Sequence, residues 1–157
     1  MLDELRELYQ EVILDHGRNP RNCRCPAGAD RHAHGYNPLC GDTLTVHLKL
    51  DDTGVIEDVA FEGKGCAISI ASASLMTEVL KGKTRDQAQA LFHGFQDMCT
   101  KDEGARAAAA AALDNDSLDR LQVLSGVREF PMRVKCATLA WHTFNAALEG
   151  EREVTTE

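Results

Sequence analysis

Hydrophobic residues at the start of the chain recur at spacings of three and four. Within residues 2–16 these positions are Leu2, Leu5, Leu8, Tyr9, Val12 and Ile13. Side chains with this spacing lie along one face of an α-helix, so the pattern predicts an amphipathic helix over residues 2–16. Gly17 comes next, and a glycine at that place typically ends a helix.

Residues 17–39 show no regular spacing of hydrophobic positions. The segment contains Pro20, Pro26 and Pro38, so it is predicted to be irregular, with a short strand around Arg31–Tyr36. An irregular segment of this length inside a domain is usually functional or mobile.

Hydrophobic and polar residues then alternate strictly over residues 43–50. The hydrophobic members are Leu44, Val46, Leu48 and Leu50. This period of two predicts a half-buried strand. A turn at residues 51–54 and a second strand over Val55–Phe61 would complete an antiparallel hairpin, and the Gly-Lys-Gly run at residues 63–65 is predicted to break the second strand. One face of the hairpin is apolar, so helices must cover it.

The rest of the chain is predicted to be mostly helical. The predicted helices are Cys66 to Lys81, Thr84 to Met98, residues 101–113, Ser117 to Ser125, and a C-terminal helix after Pro131. Thr84 and Gln87 have the spacing of a capping box. The charged residues 149–157 are predicted to form a disordered tail. The order of elements predicts one α+β domain over residues 1–157, with about three antiparallel strands and helices on one sheet face.

Composition narrows the range of partners. Of the 157 residues, 43% are hydrophobic and 27% are charged, which is typical of a globular domain. The net charge of −8 argues against nucleic acid as the main partner. No apolar run is long enough to span a membrane, and residues 1–7 are charged where a signal peptide needs an apolar core. We therefore expect a cytoplasmic protein that binds neither nucleic acid nor membrane.

Six cysteines need a chemical explanation. They are Cys23, Cys25, Cys40, Cys66, Cys99 and Cys136. A reducing cytoplasm disfavours structural disulfides, which leaves metal binding, thiol chemistry or core packing.

Three of these cysteines lie beside the ends of predicted elements. Cys40 precedes the clearest strand, with Asp42 two positions later; Cys66 opens a helix, and Cys136 lies near the start of another, close to Arg133. A helix N-terminus and neighbouring cations both favour a thiolate. Taken alone, the Cys40 and Asp42 pair is better explained by a turn before a strand, and Cys66 and Cys136 are explained equally well by buried core cysteines. Together, three thiolates and a carboxylate make a complete tetrahedral ligand set for Zn²⁺, although thiolates also bind iron–sulfur clusters.

Four blocks in order along the chain resemble the SufU/IscU family of iron–sulfur cluster assembly proteins, related to the N-terminal domain of NifU. The blocks are Tyr9–Asn22 (YQEVILDHGRNPRN), Asn37–Asp42 (NPLCGD), Gly63–Ser74 (GKGCAISIASAS) and Arg133–Trp141 (RVKCATLAW). The resemblance extends from about Leu8 to Leu148, and it implies the fold of that family.

Within this family the chain is more similar to SufU than to IscU. Cys66 and Cys136 lie 70 positions apart, a gap that matches the extra segment of SufU. Lys135 stands where IscU proteins carry a histidine, and residues 130–135 replace the Leu-Pro-Pro-Val-Lys motif that a chaperone reads in IscU. Chaperone-driven cluster release is therefore not expected.

The resemblance implies specific roles. Cys40, Asp42, Cys66 and Cys136 match the metal ligands of the family, and the metal in SufU-type proteins is zinc. Such a protein accepts sulfur from a pyridoxal-phosphate-dependent cysteine desulfurase (SufS-like) and passes it to a separate scaffold (SufBCD-like), so it acts as a sulfurtransferase. Cys40 matches the sulfur acceptor, and Arg133 matches an arginine at the site and the desulfurase contact.

Two other functions remain open from the sequence. The chain is alternatively a scaffold that itself assembles and transfers a [2Fe–2S] cluster, or a domain whose zinc is only structural. A structural site would be essential to folding, so cooperative folding after metal removal would argue against it.

A second possible metal set does not match the family ligands. Cys23 and Cys25 form a C-x-C pair, and His32 and His34 form an H-x-H pair. The simpler interpretation is exposed loop thiols beside a strand with two histidines on one face. Cys99 lies near the predicted end of a helix and is interpreted as core packing.

Overall fold

The predicted hairpin is the centre of the sheet in the computed structural model, which describes residues 2–100, 117 and 120–155. Strand β2 (Asp42–Leu50) pairs antiparallel with β1 (Arg31–Asn37) on one side and with β3 (Ile56–Lys64) on the other. The predicted turn separates β2 from β3, where the Asp51 carboxylate accepts hydrogen bonds from the backbone N–H groups of Thr53 and Val55. The predicted strands are thus confirmed, although β3 continues past its predicted end at Phe61 to Lys64, within the predicted break at residues 63–65.

The described part of the chain contains a fourth strand that the sequence analysis did not predict. Strand β4 (Glu153–Thr155) pairs in parallel with β1, which makes the sheet mixed, with the order β3-β2-β1-β4. It lies in the segment predicted to be a disordered tail. Its position is fixed by tertiary contacts, because the His34 N–H donates to the Arg152 carbonyl over 2.7 Å and Val154 packs against the core. Three residues are too few to show a strand period.

Helices cover the apolar face of the sheet, as predicted. They are α1 (Leu2–Arg18), α2 (Ala67–Leu80), α3 (Arg85–Thr100) and α4 (Pro131–Leu148). A 3₁₀ helix, Gln122–Glu129, precedes α4 and passes the predicted end at Gly126. The helix predicted over residues 101–113 lies outside the described residues. None of the helices described is long and apolar enough to cross a membrane.

The alternation of hydrophobic and polar residues along β2 determines which face of the sheet is buried. Leu44, Val46 and Leu48 on β2 are almost fully buried beneath the helices, and Phe61 on β3 lies opposite Val46 in the same layer. The core continues into the helices, where Trp141 of α4 stacks on Phe95 of α3 with ring centroids 4.9 Å apart.

Small polar residues join α2 to α4. The hydroxyl of Ser69 donates to the carbonyl of Cys136 over 3.3 Å, and the hydroxyl of Ser72 donates to the carbonyl of Ala137. Such short side chains let the two helix backbones approach closely while their buried hydroxyls remain paired. These hydrogen bonds hold the first turns of α2 against the second turn of α4. Cys66 directly precedes α2 and Cys136 lies on α4, so the two candidate cysteines are brought near each other.

Candidate metal centre

A tight turn between β1 and β2 holds Cys40 at the end of the sheet. Asn37 and Asp42 are the last paired residues of the two strands, and the N–H groups of Cys40 and Gly41 both turn back to the Asn37 carbonyl, at 3.3 and 2.9 Å. Gly41 has φ of +71°, a left-handed conformation that glycine adopts without steric cost. The turn presents Cys40 half-buried at the surface.

Asp42 connects this turn to the start of α2. Its carboxylate is buried; Oδ1 accepts the Cys66 N–H at 2.9 Å, and Oδ2 accepts the Asn37 side-chain N–H at 3.2 Å. A Cβ on Gly65 would lie 2.8 Å from Asp42 Oδ1, so this close approach requires glycine. Asp42 therefore fixes the position of Cys66 through the backbone, whatever else its carboxylate binds.

Cys136 enters the same place from α4. Its side chain is fully buried, and its Sγ lies 3.2 Å from Cys40 Sγ and 3.4 Å from the donating Asn37 Nδ2. The ligand atoms of Cys40, Asp42 and Cys136 all lie within 4.8 Å of one another. Donors around a tetrahedral zinc ion, bonded at about 2.0–2.3 Å, lie about 3.5 Å apart, so small side-chain movements would close this set on an ion.

Cys66 and Arg133 lie at the rim of the cluster. The Cys66 thiol, half-buried at the N-terminus of α2, falls outside the compact group of three. Arg133 is exposed in the first turn of α4, and the neighbouring Cys66, Cys136 and Cys40 raise the pKa of its guanidinium. The structure thus brings three of the four predicted ligands together, with the fourth and the predicted arginine adjacent.

A bound cation would stabilise the ionised form of the clustered thiols. Burial raises the pKa of the Cys136 thiol well above its ordinary value, and the neighbouring Cys40, Cys66 and Asp42 raise it further. A buried thiolate next to other anionic groups is unfavourable unless positive charge compensates it. A divalent ion supplies that charge and stabilises bound thiolates, so these donors fit a metal of the zinc class.

Asn37 is a site residue that the sequence analysis missed. It is buried, and its side-chain amide donates to both Asp42 and Cys136, so it orients two of the clustered donors. In the sequence it was noted only as the first residue of the Asn37–Asp42 block and was given no role. The sequence signal that could have indicated its role is its spacing from Asp42: the two residues lie opposite each other across a four-residue loop.

The second possible metal set does not come together among the described residues, and Cys23 and Cys25 are exposed, as the simpler interpretation expected. Cys23 is exposed and stays outside the metal-competent groups of the described residues; the His34 ring instead lies 2.7 Å from the Thr45 hydroxyl. Cys25 is grouped with His47 and a glutamate, neither of which was predicted as a ligand. Cys99 is fully buried in the hydrophobic core, in agreement with the prediction.

Three exposed apolar residues lie close in the chain to Cys40 or Arg133. Leu39, Phe130 and Met132 are 57–59% exposed, and each lies next to or within three residues of Cys40 or Arg133. A cavity of about 790 Å³ opens beside them and is lined by Cys66, Arg133 and Phe130, among others. Exposed apolar groups around a polar site are typical of protein-binding surfaces.

Comparisons with known proteins identify the family and the fold. The family model of the NifU-like N terminal domain matches residues 8–137. The zinc-dependent sulfurtransferase SufU of Bacillus subtilis (strain 168) is 39% identical, covering 94% of this chain and 93% of the relative. The iron–sulfur cluster assembly scaffold protein IscU of Streptococcus pyogenes serotype M1 is 36% identical, covering 94% and 87%. The crystal structure of FiSufU from Fervidobacterium islandicum AW-1 is similar with a TM-score of 0.75 and 33% identity, covering 88% and 94%.

Proposed function

The chain belongs to the NifU-like N-terminal domain family of iron–sulfur cluster assembly proteins, and we propose that within this process it accepts and transfers sulfur at a zinc centre. The observation that carries the proposal is the cluster of Cys40, Asp42 and Cys136, whose donors lie within 4.8 Å of one another, with Cys40 half-buried and the other two buried. The 39% identity to a relative named as a zinc-dependent sulfurtransferase supports zinc over a cluster.

The proposed ligands are Cys40, Asp42, Cys66 and Cys136. Three already lie together, and the Cys66 backbone is held to Asp42 by a 2.9 Å hydrogen bond, so a side-chain rotation of Cys66 would complete the set. When bound, zinc keeps thiolates deprotonated and lowers their nucleophilicity.

Differences in burial favour Cys40 as the sulfur acceptor. Cys136 is fully buried beneath Asn37, whereas Cys40 is half-buried on a surface turn. The Cys40 thiolate attacks the terminal sulfur of a persulfide carried by a donor enzyme. A new S–S bond forms on Cys40, the S–S bond of the donor breaks, and its electron pair leaves with the donor cysteine as a thiolate. Arg133, beside the three thiols, stabilises the resulting anionic persulfide.

The proposed donor is a pyridoxal-phosphate-dependent cysteine desulfurase of the SufS type, and the recipient is a SufBCD-type scaffold. The exposed Leu39, Phe130 and Met132 support docking of such a partner directly over Cys40 and Arg133. Apolar contacts around the acceptor would also exclude water from the reactive persulfide.

A second candidate function is assembly of a [2Fe–2S] cluster on the same cysteines. The 36% identity to a relative named as a scaffold supports it, and thiolates bind iron–sulfur clusters as well as zinc. Metal content distinguishes the two. Protein purified without oxygen is expected to contain zinc, no iron and no acid-labile sulfide. Iron with matching sulfide would contradict sulfur transfer and support the scaffold.

Sulfur acceptance is tested directly with a cysteine desulfurase, cysteine and mass spectrometry of the intact chain. We expect the wild type to gain the mass of sulfur, and Cys40→Ser to gain none. Cys23→Ser is the matched control, because it removes an exposed thiol outside the cluster and should accept sulfur normally. Full acceptance by Cys40→Ser would contradict the assignment of Cys40.

A further inference from the structure

The solvent-facing side of the sheet carries a second group of metal-binding side chains. The ligand atoms of Cys25, His47 and Glu62 all lie within 4.8 Å of one another. We propose that these three residues bind a second divalent metal ion of the zinc class. This inference does not depend on the proposed function, because none of the three residues belongs to the centre that contains Cys40.

Strand register aligns His47 with Glu62. His47 on β2 lies opposite Ala60 of β3, and Thr45 lies opposite Glu62, so His47 and Glu62 are diagonal neighbours on the outer face. His47 Nε2 and Glu62 Oε1 are 3.0 Å apart. The His47 side chain is only 13% exposed, which limits its rotamers. Two donors of the site are therefore held by paired backbones and not by a loop.

The chain segment that precedes β1 brings Cys25 to this pair. The Phe61 N–H donates to the Asn22 carbonyl and the Arg24 N–H donates to the Phe61 carbonyl, each over 3.0 Å, so residues 22–24 pair along the free edge of β3. The Arg24 guanidinium also contacts both carboxylate oxygens of Asp58, at 2.7 and 3.1 Å. These contacts fix the backbone directly before Cys25.

The other end of the same segment is also anchored. The Asp30 N–H donates to the Leu48 carbonyl over 3.1 Å, so residues 25–30 pass from the β3 edge towards β1 across the outer face. Ala60 occupies an outward position of β3 yet is fully buried, which agrees with a covering segment. Cys25 therefore sits between two fixed attachments and is not on a free loop.

The donor types fit zinc. A thiolate, an imidazole and a carboxylate are the three ligand types of zinc sites, and three protein ligands leave the fourth position open for water. His32 provides a further imidazole: it is paired with His47 across the strands, with ring centroids 6.2 Å apart.

The second site is separate from the first. Asp42 and His47 are five residues apart on β2, a distance of about 17 Å along a strand. Because the separation is odd, the two side chains lie on opposite faces of the sheet. Loss of one site should therefore leave the other intact.

Zinc titration of the full chain against a chromophoric chelator tests the proposal. The wild type is expected to hold about two zinc ions per chain, and Cys25→Ser and His47→Ala about one each. Cys23→Ser and His34→Ala are the matched controls, and both should keep about two zinc ions. Cys23 lies two positions before Cys25, and His34 lies on β1 two positions from His32, the residue opposite His47. Zinc content that is the same in Cys25→Ser as in the wild type, whether one ion or two, would overturn the second site. One zinc ion in the wild type that Cys25→Ser loses would instead contradict zinc binding at the Cys40 centre.

Replacing zinc with cobalt(II) gives a second test, which measures thiolate-to-cobalt absorption and does not depend on the number of zinc ions per chain. The site should add a thiolate-to-cobalt absorption that Cys25→Ser removes, because Cys25 is its one sulfur ligand. Sulfur acceptance distinguishes this inference from the proposed function: Cys25→Ser should accept sulfur from the desulfurase as the wild type does. Cobalt absorption that is unchanged in Cys25→Ser would contradict a Cys25 ligand.

Discussion

Residues of the same type take different roles here because their surroundings differ. Cys99 is enclosed by the core, Cys136 is buried beside Asn37, and Cys40 stands on an accessible turn. Burial alone makes Cys99 a packing residue. Burial, and then the neighbouring Cys40, Cys66 and Asp42, raise the pKa of the Cys136 thiol, which makes this cysteine dependent on a cation for ionisation.

Gly65 is expected to control the metal centre without contacting a metal. Gly65→Ala would place a Cβ 2.8 Å from Asp42 Oδ1 and 3.0 Å from Ser69, so the carboxylate must move. We expect a loss of about 1–3 kcal/mol in the free energy of unfolding, as for other overpacked sites. Zinc affinity should fall about 10-fold or more, as when the partners that orient ligands are lost. Denaturant unfolding and chelator competition measure the two effects.

Gly126→Ala is the control for this substitution. A Cβ at Gly126 would meet nothing within 4 Å, so neither unfolding nor zinc binding should weaken. If Gly65→Ala and Gly126→Ala showed the same unfolding free energy and the same zinc affinity, crowding at Asp42 would not be the reason that residue 65 is glycine.

At the scale of elements, helix ends were readable from sequence because their signals are local. The capping box of α3 has the predicted form: the Thr84 N–H donates to Gln87 Oε1 over 3.0 Å, and the Gln87 N–H donates to Thr84 Oγ1 over 3.2 Å. Both groups are exposed, so water competes for them and the net effect is modest.

Removing the capping hydroxyl tests this element. Thr84→Ala should lower the free energy of unfolding by about 1 kcal/mol, because the Gln87 N–H loses its partner at the helix start. Thr84→Ser keeps a hydroxyl and should remain close to the wild type. Urea unfolding measures both; an unchanged midpoint in Thr84→Ala would mean that the box adds nothing to stability.

At the scale of the whole molecule, two histidines link folding to pH. Burial lowers the pKa of His16, which lies between α1 and α2 with its ring 2.7 Å from the Ser74 hydroxyl. Burial also lowers the pKa of His142 on α4, which packs edge-on against Phe92. The folded state therefore holds these imidazoles neutral more strongly than the unfolded chain does.

The sign of the pH dependence follows from these lowered pKa values. Both histidines have ordinary values of 6.5, so their contribution to stability is fully present above that pH. It is lost as the pH falls from there through the lower folded-state pKa, because the unfolded chain binds the protons first. We expect the free energy of unfolding to decrease below about pH 6.5 in urea titrations.

His142→Gln should reduce that slope, because it removes one of the two groups. His93→Gln is the matched control, since His93 is exposed on α3 and contacts the same Phe92 ring. Acid release of a bound metal would affect both variants alike, so the difference between them isolates His142. Identical slopes in the two variants would contradict a role for His142.

The order and type of the main elements followed from the sequence alone. Period-two alternation in residues 43–50, the three- and four-residue spacing in α1 and α4, and the Thr84 box are local patterns that need no distant partner. The candidate sulfur and carboxylate donors could also be identified from the sequence, because their residue types and their positions beside the ends of predicted elements are local information. The α+β class follows from these facts.

What only the tertiary structure decided depends on contacts between distant segments. Strand β4 exists because β1 offers it an edge, and the role of Asn37 depends on α4 bringing Cys136 within 3.4 Å. The grouping of Cys25 with His47 and Glu62 joins three segments through strand register and an edge pairing. Sequence patterns report which face a residue occupies, but distances between segments are set only when the core packs, and ligand sets are defined by those distances.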